Sequence, residues 1–213
     1  MGTLSDREIR YRLGVPCEWS AGMSPMSRTD PNRLEIRPFA EMTREPGHPS
    51  YGLSAYGIDL RAGSAWAYLD FHELAARGNA PIRPGSAGLP WVHKTAAPGE
   101  LIIVPPRSAI LAQTLEWVRI PRDCWGFVLG KSTWARLFVD LNTTMIEPEW
   151  EGFITLEVTN NGACAVAIEP GEGICQLVLN RGHNPGLFPL GKSYADRTDA
   201  AYQGQKGVTP PRT

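Results

Sequence analysis

The side chains best suited to chemistry lie between residues 130 and 158. The segment GKSTWAR (130–136) supplies two cations and two hydroxyls, and IEPEWEG (146–152) supplies three carboxylates around a tryptophan. Glu157 follows in the middle of an apolar run. Cations and hydroxyls bind phosphate, and a carboxylate beside them can transfer protons. With little net charge on the chain, a polyanionic ligand would have to be held by a local basic cluster of this kind.

A phosphate-binding P-loop is one explanation for the segment GFVLGKS (126–132). That motif needs four residues between its glycines, whereas three separate Gly126 from Gly130. The residues after Ser132 also lead into 139–144, whose β-branched composition favours a strand over the helix that a P-loop requires. The spacing and the composition both argue against a P-loop.

Glu157 lies in a predicted strand, residues 153–159, whose side chains alternate between two faces. Ile154, Leu156 and Val158 form the apolar face, and Glu157 shares the other face with two threonines and Phe153. This pattern fits a glutamate that faces solvent. It is also compatible with a carboxylate that lines a polar pocket, where partial burial would raise its pKa toward the range useful for proton transfer.

The other candidate segments also have ordinary explanations. Residues 131–136 could be a solvated turn, residues 147–151 (Glu147, Glu149 and Glu151 around Trp150) a plain acidic turn, and the C-terminal residues a disordered tail. The residue types alone leave these alternatives open.

Cysteine and histidine spacing bears on metal chemistry. The four cysteines (17, 124, 164 and 175) form no C-x-x-C pair and are predicted to be structural thiols, without disulfides. Cys164 and Cys175 lie in apolar stretches, where a buried thiol is expected. Histidines 48, 72, 93 and 183 are scattered. Zinc-dependent nucleobase deaminases use H-x-E followed by P-C-x-x-C, and the sequence contains neither motif. A base deamination by this chain would therefore proceed without zinc.

The elements that must position these residues are mostly strands. Ser5–Glu8 reads as a capping box that begins a short helix with Ile9 and Leu13 on one side, and residues 70–77 could add one or two helical turns. Residues 17–50 and 78–99 read as irregular. Apolar runs separated by turn residues predict strands at 101–104, 109–120, 125–129, 139–144, 153–159, 165–168 and 174–179. Such short, closely spaced strands indicate a compact sandwich or barrel.

Length and charge limit the class of protein. A chain of 213 residues suits one domain with a substantial core. Its net charge of −1 provides no general basic field for nucleic acid. No apolar run is long enough to span a membrane, and the N-terminus lacks the apolar stretch of a signal peptide. We expect a soluble cytoplasmic protein.

Several segments together resemble one family. GKSTWAR, IEPEWEG, ITLEVTN (154–160), SYGLSAYGIDLR (50–61) and YQGQKGVT (202–209) are similar, in order and spacing, to the motifs of dCTP deaminases in the dUTPase-like superfamily. The resemblance covers roughly residues 34–213 and leaves 17–32 without a counterpart. It implies a mainly β, distorted jelly roll or barrel with a short N-terminal helix, assembled as a homotrimer with active sites between subunits. It also implies one domain over residues 1–213, with an N-terminal extension at 1–33 and a C-terminal segment at 190–213 that closes over the site.

The resemblance also implies roles for individual residues. Glu157 matches the catalytic glutamate, which takes a proton from the water that attacks C4 of cytosine, with Ser132 and Arg136 beside it. Lys131 is expected to contact phosphates and Trp150 to pack against the sugar, while Mg²⁺ arrives with the substrate phosphates. The remaining expected substrate contacts are Thr133, Glu147, Gln176, Tyr194, Tyr202 and Gln205, with Arg197 and Lys206 adding positive charge.

The implied function is zinc-independent deamination of dCTP, or of a close analogue, to dUTP and ammonia. Two alternatives stay open: a bifunctional enzyme that continues to dUMP, and a catalytically silent nucleotide-binding regulator. Glu147 stands where dUTPases carry an aspartate, which weighs against diphosphatase activity. Three departures from the family pattern, Ala201 for lysine, Phe138 for glycine and Met145 for a small residue or proline, bear on which substrate is used.

Overall fold

The N-terminal helix begins at the predicted capping box. The structure, a computed structural model, describes residues 2–16, 26–78, 81–83, 86, 88–142, 145–182, 194–198 and 200–212. Helix α1 spans Asp6–Leu13; Ser5 Oγ accepts from the backbone N–H of Glu8, and the Glu8 carboxylate accepts from the backbone N–H of Ser5. Ile9 and Leu13 are buried, as predicted, and anchor the helix against the core.

Strands dominate the rest of the described chain. Helix α2 (Phe71–Ala76) and helix α3 (Ser132–Ala135) are short, and a 3-10 turn covers Tyr194–Asp196. The strands are β1 (Glu35–Arg37), β2 (Gly52–Ser54), β3 (Gly57–Leu69), β4 (Trp91–Thr95), β5 (Ile102–Val104), β6 (Ser108–Arg119), β7 (Cys124–Gly130), β8 (Val139–Asn142), β9 (Met145–Ile146), β10 (Glu151–Asn160), β11 (Val166–Ile168) and β12 (Gly173–Arg181).

Ten of these strands form one antiparallel sheet in the order β8-β10-β6-β3-β12-β7-β9, with β1 paired to β6 and with β2 and β4 paired to β3. The long strand β3 joins the two halves of this sheet, because its first half pairs with β12 and its second half with β6 and β4. A separate pair joins β11 to β5. The curled sheet encloses a core of aliphatic side chains that includes Leu60, Leu156 and Leu177. The predicted mainly β fold with a short N-terminal helix is confirmed.

The predicted strands between 101 and 179 are present, with boundaries shifted by a few residues. The end of the predicted strand at 139–144 lies outside the described residues. Two regions expected to be irregular or loop contain strands, β1 within 17–50 and β4 within 78–99. The β-branched composition at 139–144 predicted a strand, and β8 begins there at Val139. The short helix α3 lies before it, directly after Lys131, and was not predicted.

The cysteines are free thiols where the structure describes them. Cys124 and Cys175 are buried, as expected for structural thiols, and burial raises the pKa of Cys124 to about 12. Cys164 is exposed, which corrects the expectation of a buried thiol, because it lies in the turn between β10 and β11. Cys17 and His183 lie outside the described residues. None of the described helices is long and apolar enough to cross a membrane.

Candidate active site

Glu157 lies near the middle of β10, opposite Leu111 of β6 and Asn142 of β8. The predicted alternation is present: Ile154, Leu156 and Val158 are buried, and Glu157 lies on the outer face of the sheet. Although its outer surface is open to solvent on the single chain, burial of the carboxyl raises the pKa of Glu157, and a backbone hydrogen bond only partly offsets this. A carboxyl with a raised pKa on the wall of a cavity is suited to proton transfer.

A cavity of about 310 Å³ opens beside Glu157. Apolar side chains from several strands and polar side chains from β10 and the C-terminal residues share its lining. Six of the eleven predicted site residues lie there: Glu147, Trp150, Glu157, Tyr194, Tyr202 and Gln205. Sequence reasoning missed Trp91, Leu111, Val128, Ile146, Ile154, Thr155, Thr209 and Pro211 as lining residues. Of these, Thr155 carried a signal, because it shares the outer face of β10 with Glu157.

The acidic turn at residues 147–151 lines one side of this cavity, through Glu147 and Trp150. The backbone N–H of Trp150 donates to the carbonyl of Glu147 (3.2 Å), closing the turn before β10. The Trp150 ring is buried, and its Nε1 donates to the backbone carbonyl of Tyr202 (2.8 Å). Trp150 therefore serves two purposes: one part of the indole lines the cavity, and its N–H attaches the C-terminal segment.

The described C-terminal residues are docked against the start of β10. Backbone bonds join Gly204 to Glu151 (2.9 Å) and Phe153 to Gln205 (3.0 Å), and Thr155 Oγ1 donates to Gln205 Oε1 (3.0 Å). Gly152 permits this approach, since a Cβ there would lie 2.7 Å from the Gln205 nitrogen. The expected closing segment thus forms one wall of the cavity within the same chain.

Helix α3 and its two flanking residues, Lys131 and Arg136, lie apart from this cavity. Ser132, Thr133 and Arg136 are exposed, and none of them lines the space beside Glu157 in the described chain. Arg136 folds back, with NH1 donating to the Ser132 carbonyl (3.1 Å). Lys131 points inward, where its Nζ donates to the carboxylate of Asp59 and to Ser50 Oγ. The phosphate contact expected of Lys131 stays a prediction.

Gln176 belongs to the same side of the molecule as helix α3. On β12 it lies between Asp59 of β3 and Leu129 of β7, and its Nε2 donates to Ser54 Oγ (2.9 Å). The predicted site residues therefore form two groups. One group surrounds Glu157, and the other (Lys131, Ser132, Thr133, Arg136 and Gln176) lies at the end of β7 and on β12.

The three departures from the family pattern have structural correlates. Phe138 adopts a left-handed conformation (φ 61°) that glycine accepts without strain, and its ring is 68% exposed. Met145 is exposed at the rim of the cavity. The carbonyl of Ala201 accepts from Arg212 NH1 (3.0 Å), which brings a guanidinium to the residue where the family has lysine.

Potential metal ligands gather elsewhere. Within the described ranges, His48, Glu169 and Glu172 form the one close group of three, and none of them lines the cavity. His48 Nδ1 lies 2.8 Å from a Glu172 oxygen, and this hydrogen bond raises the pKa of His48. Exposed acidic groups of this kind are common without a bound ion, and this group is separate from the Glu157 cavity.

Comparison with known proteins adds independent information. A protein-family profile described as dCTP deaminase-like matches residues 26–182. The dCTP deaminase of Granulibacter bethesdensis is 39% identical over 177 residues, covering 83% of this chain and 90% of that protein. The dCTP deaminase of Gluconobacter oxydans is 40% identical over 178 residues, with coverage of 83% and 90%.

A solved structure extends the comparison to the fold. The crystal structure of 2'-deoxycytidine 5'-triphosphate deaminase from Agrobacterium tumefaciens matches with a TM-score of 0.54 and 17% identity, covering 86% of this chain. The chain spans 49% of that structure's length. At this level of identity the likeness concerns the fold alone.

Proposed function

The chain belongs to the dCTP deaminase family, and from that premise we propose that it hydrolyses dCTP to dUTP and ammonia without zinc, with Glu157 as the proton-transfer residue. The observation that carries this proposal is the position of Glu157: its carboxyl has a raised pKa and lines a cavity between Trp150 and the docked C-terminal segment. A base in such a position can activate water at an enclosed substrate.

The chemistry requires one group that first accepts and then returns a proton. Glu157 takes a proton from the water that attacks C4 of cytosine and delivers it to the amino group, which leaves as ammonia. The second proton of the water ends on N3 of the uracil ring. Trp150 packs against the deoxyribose, and Glu147 and the C-terminal residues Tyr194, Tyr202 and Gln205 enclose the nucleotide and limit entry of bulk water.

We propose that Ser132, Thr133 and Arg136 complete the site of a neighbouring subunit in a homotrimer. Support comes from the division of the predicted residues into two separate groups, since one chain does not bring Arg136 to the cavity of Glu157. A contact between two different faces of identical subunits closes into a ring when the rotation allows it. Such a contact would bring the exposed hydroxyls and guanidinium to the neighbouring substrate.

An apolar strip on the outer sheet face supports this assembly. On β7, Trp125, Phe127 and Leu129 point away from the core, and Val178 and Met145 lie opposite Phe127 on the adjacent strands. Leu129 is 49% exposed. Contiguous apolar residues on a surface mark interaction sites, and this strip ends at the turn that carries Ser132 and Arg136.

The triphosphate is expected to bind between Arg136 of one subunit and the C-terminal segment of the next, where Arg197 and Lys206 add positive charge. Mg²⁺ would enter with the phosphates and keep several waters, so it requires no cage of protein carboxylates. A bound ion would neutralise charge on the phosphates, whereas Glu157 carries out the proton transfers at the base. A cytoplasmic location, expected from the sequence, stays a prediction.

The test is a substrate panel with two products measured. Purified protein with Mg²⁺ receives dCTP, dCMP, CTP, 5-methyl-dCTP or dUTP, and ammonia and pyrophosphate are both assayed. Ammonia from dCTP without pyrophosphate supports a deaminase alone, whereas both products indicate the bifunctional alternative. Glu157→Gln should lose at least about a hundredfold in turnover. Binding of dCTP without any ammonia would instead support the silent regulator.

A further inference from the structure

Gln113 carries a buried hydrogen-bond acceptor that lacks a donor among the described residues. Its side chain lies on the outer face of β6, the face that also bears Leu111 beside Glu157. Within the part of the chain that the structure describes, Gln113 Oε1 is the one buried side-chain oxygen or nitrogen without a hydrogen-bond partner. An acceptor that is removed from water without gaining a donor raises the free energy of the state that buries it. The element that covers this oxygen is therefore bound less tightly than its other contacts would allow.

The docked C-terminal segment is one of the two elements that enclose the Gln113 side chain. A Cβ placed on Gly207 would lie 3.7 Å from Gln113 Oε1, so the backbone of the segment passes close to the amide oxygen. A Cβ placed on Gly63 of β3 would lie 3.1 Å from Gln113 Cγ. Because β3 is a central strand of the sheet, undocking of the segment is the change that would return Oε1 to water.

The hydroxyl opposite Gln113 is engaged by the same segment. Thr155 lies directly across from Gln113 in the pairing of β10 with β6. Its hydroxyl has one proton, which it donates to Gln205 Oε1 at 3.0 Å, while its oxygen accepts from the backbone N–H of Thr209. Docking of the segment therefore uses the Thr155 proton for Gln205 and leaves the Gln113 oxygen without it.

We propose that Gln113 is a positioning residue that opposes docking of the C-terminal segment, so that the cavity beside Glu157 opens readily for exchange of substrate and product. The hydrogen bonds of Gly204, Gln205 and Thr209 favour the docked state, and the buried Gln113 oxygen counteracts them. Opening of a closing segment often limits turnover. The role in nucleotide exchange rests on the proposed function, whereas the opposition to docking is a property of the free protein and can be measured without substrate.

The test is a pair of substitutions with effects of opposite sign on hydrogen exchange. Gln113→Met keeps the length of the side chain and removes the acceptor. The backbone N–H groups of Gly204 and Thr209, which donate to β10, should then exchange at least about fivefold more slowly in the free protein. Gln113→Glu places a carboxylate under the docked segment and should speed the same exchange at pH 8, where the carboxyl is ionised. A side chain that only fills space would not produce opposite effects.

Leu115→Met provides a matched control. Leu115 lies two residues further along the same face of β6 and outside the lining of the cavity, and this change removes no acceptor. It should leave the exchange of Gly204 and Thr209 unchanged. If Gln113→Met instead speeds the exchange or lowers the unfolding temperature, the oxygen has a partner in the docked state and the proposal is overturned. Exchange that is the same in Gln113→Met and the wild type also overturns it.

Dissociation of dCTP separates this inference from the proposed function. Labelled dCTP is bound to protein that carries Glu157→Gln, which removes turnover, and is chased with excess unlabelled dCTP. Adding Gln113→Met should slow dissociation at least about fivefold, and adding Gln113→Glu should speed it. If the wild type releases no ammonia from dCTP but Gln113→Met still slows exchange in the segment, the proposed function fails and the opposition to docking stands. Equal dissociation rates in the three proteins, despite altered exchange, would overturn the role of Gln113 in nucleotide exchange.

Discussion

Thr155 and Gln205 are joined by a hydrogen bond of 3.0 Å from Oγ1 to Oε1, which ties the C-terminal segment to the strand of Glu157. The same hydroxyl accepts from the backbone N–H of Thr209 at 3.2 Å. One side chain, two residues before Glu157, therefore holds the segment at two points. Closure of the cavity and the position of the proposed base are linked through a single strand.

Thr155→Val should loosen this attachment while keeping the shape of the side chain. The buried Gln205 amide oxygen loses its donor, which costs about 1–3 kcal/mol. We expect a lower unfolding temperature and a raised KM for dCTP, because the closed segment is populated less. Thr159→Val is the control, since Thr159 lies on the same face further from the segment. Equal effects of the two variants on KM would contradict the link.

The pH dependence of the reaction should report Glu157. Its pKa is raised by burial, and the base must be ionised to accept a proton from water. Activity should therefore increase with pH through a pKa above that of an ordinary glutamate, and the acid limb of kcat/KM measures it. An acid limb at or below the ordinary value would argue that another group limits the rate.

The same pKa shift predicts that Glu157→Gln stabilises the subunit. Because the folded state raises this pKa, ionised Glu157 disfavours folding at neutral pH, and this cost disappears as the pH falls below the ordinary range of glutamate. Because the Glu157 carboxylate is partly open to solvent, water screens its charge. We therefore expect a gain of no more than a few degrees in unfolding temperature at pH 7. The gain should vanish in scans near pH 4.

Gly152 should be intolerant of any side chain. Its φ is 144°, and a Cβ there would lie 2.7 Å from the Gln205 nitrogen, so Gly152→Ala should displace the C-terminal segment and lower kcat/KM at least about tenfold. Gly171→Ala is a matched control, because Gly171 also has a positive φ (103°) but open space around it. A similar loss of kcat/KM in both variants would attribute the effect to backbone strain alone.

The local patterns of the sequence predicted local structure well. The capping box at Ser5 and Glu8 and the alternation around Glu157 depend on neighbours within a few residues, and both are present. Strand β3 was not predicted, because Gly57 and Gly63 weaken the strand signal in its sequence. Trp91 gave no signal, since it lies within residues 78–99, whose composition resembles a loop.

The division of the site could not be predicted from spacing. Lys131 and Glu157 are close in sequence, yet Lys131 pairs with Asp59, 72 residues away. Which side chain faces which cavity depends on strand pairing across the whole sheet. The resemblance to a family supplied the residue set, and the tertiary structure separated it into two groups.

Leu129→Glu should weaken assembly. A carboxylate on the apolar strip of β7 would have to be buried without a partner in the proposed contact between subunits. Light scattering should show a mass that falls from about 70 kDa, three copies of the 23.4 kDa chain, toward one copy. Leu101→Glu, at a leucine of similar exposure outside the strip, should leave the mass unchanged. A wild type that is monomeric at assay concentrations would contradict the trimer directly.

Mixed trimers should recover activity that each parent lacks. Glu157→Gln lacks the proposed base, and Arg136→Ala lacks the group supplied to the neighbour, so each alone should keep less than about a hundredth of the wild-type rate. After dissociation and random reassembly in equal amounts, about a quarter of the sites should combine an intact Glu157 with an intact Arg136 from the adjacent subunit. Wild type mixed with Glu157→Gln is the control, in which about half of the sites stay intact. If both residues acted within one subunit, every site in the mutant mixture would lack one of them, and activity would stay at the level of the parents despite verified exchange of subunits.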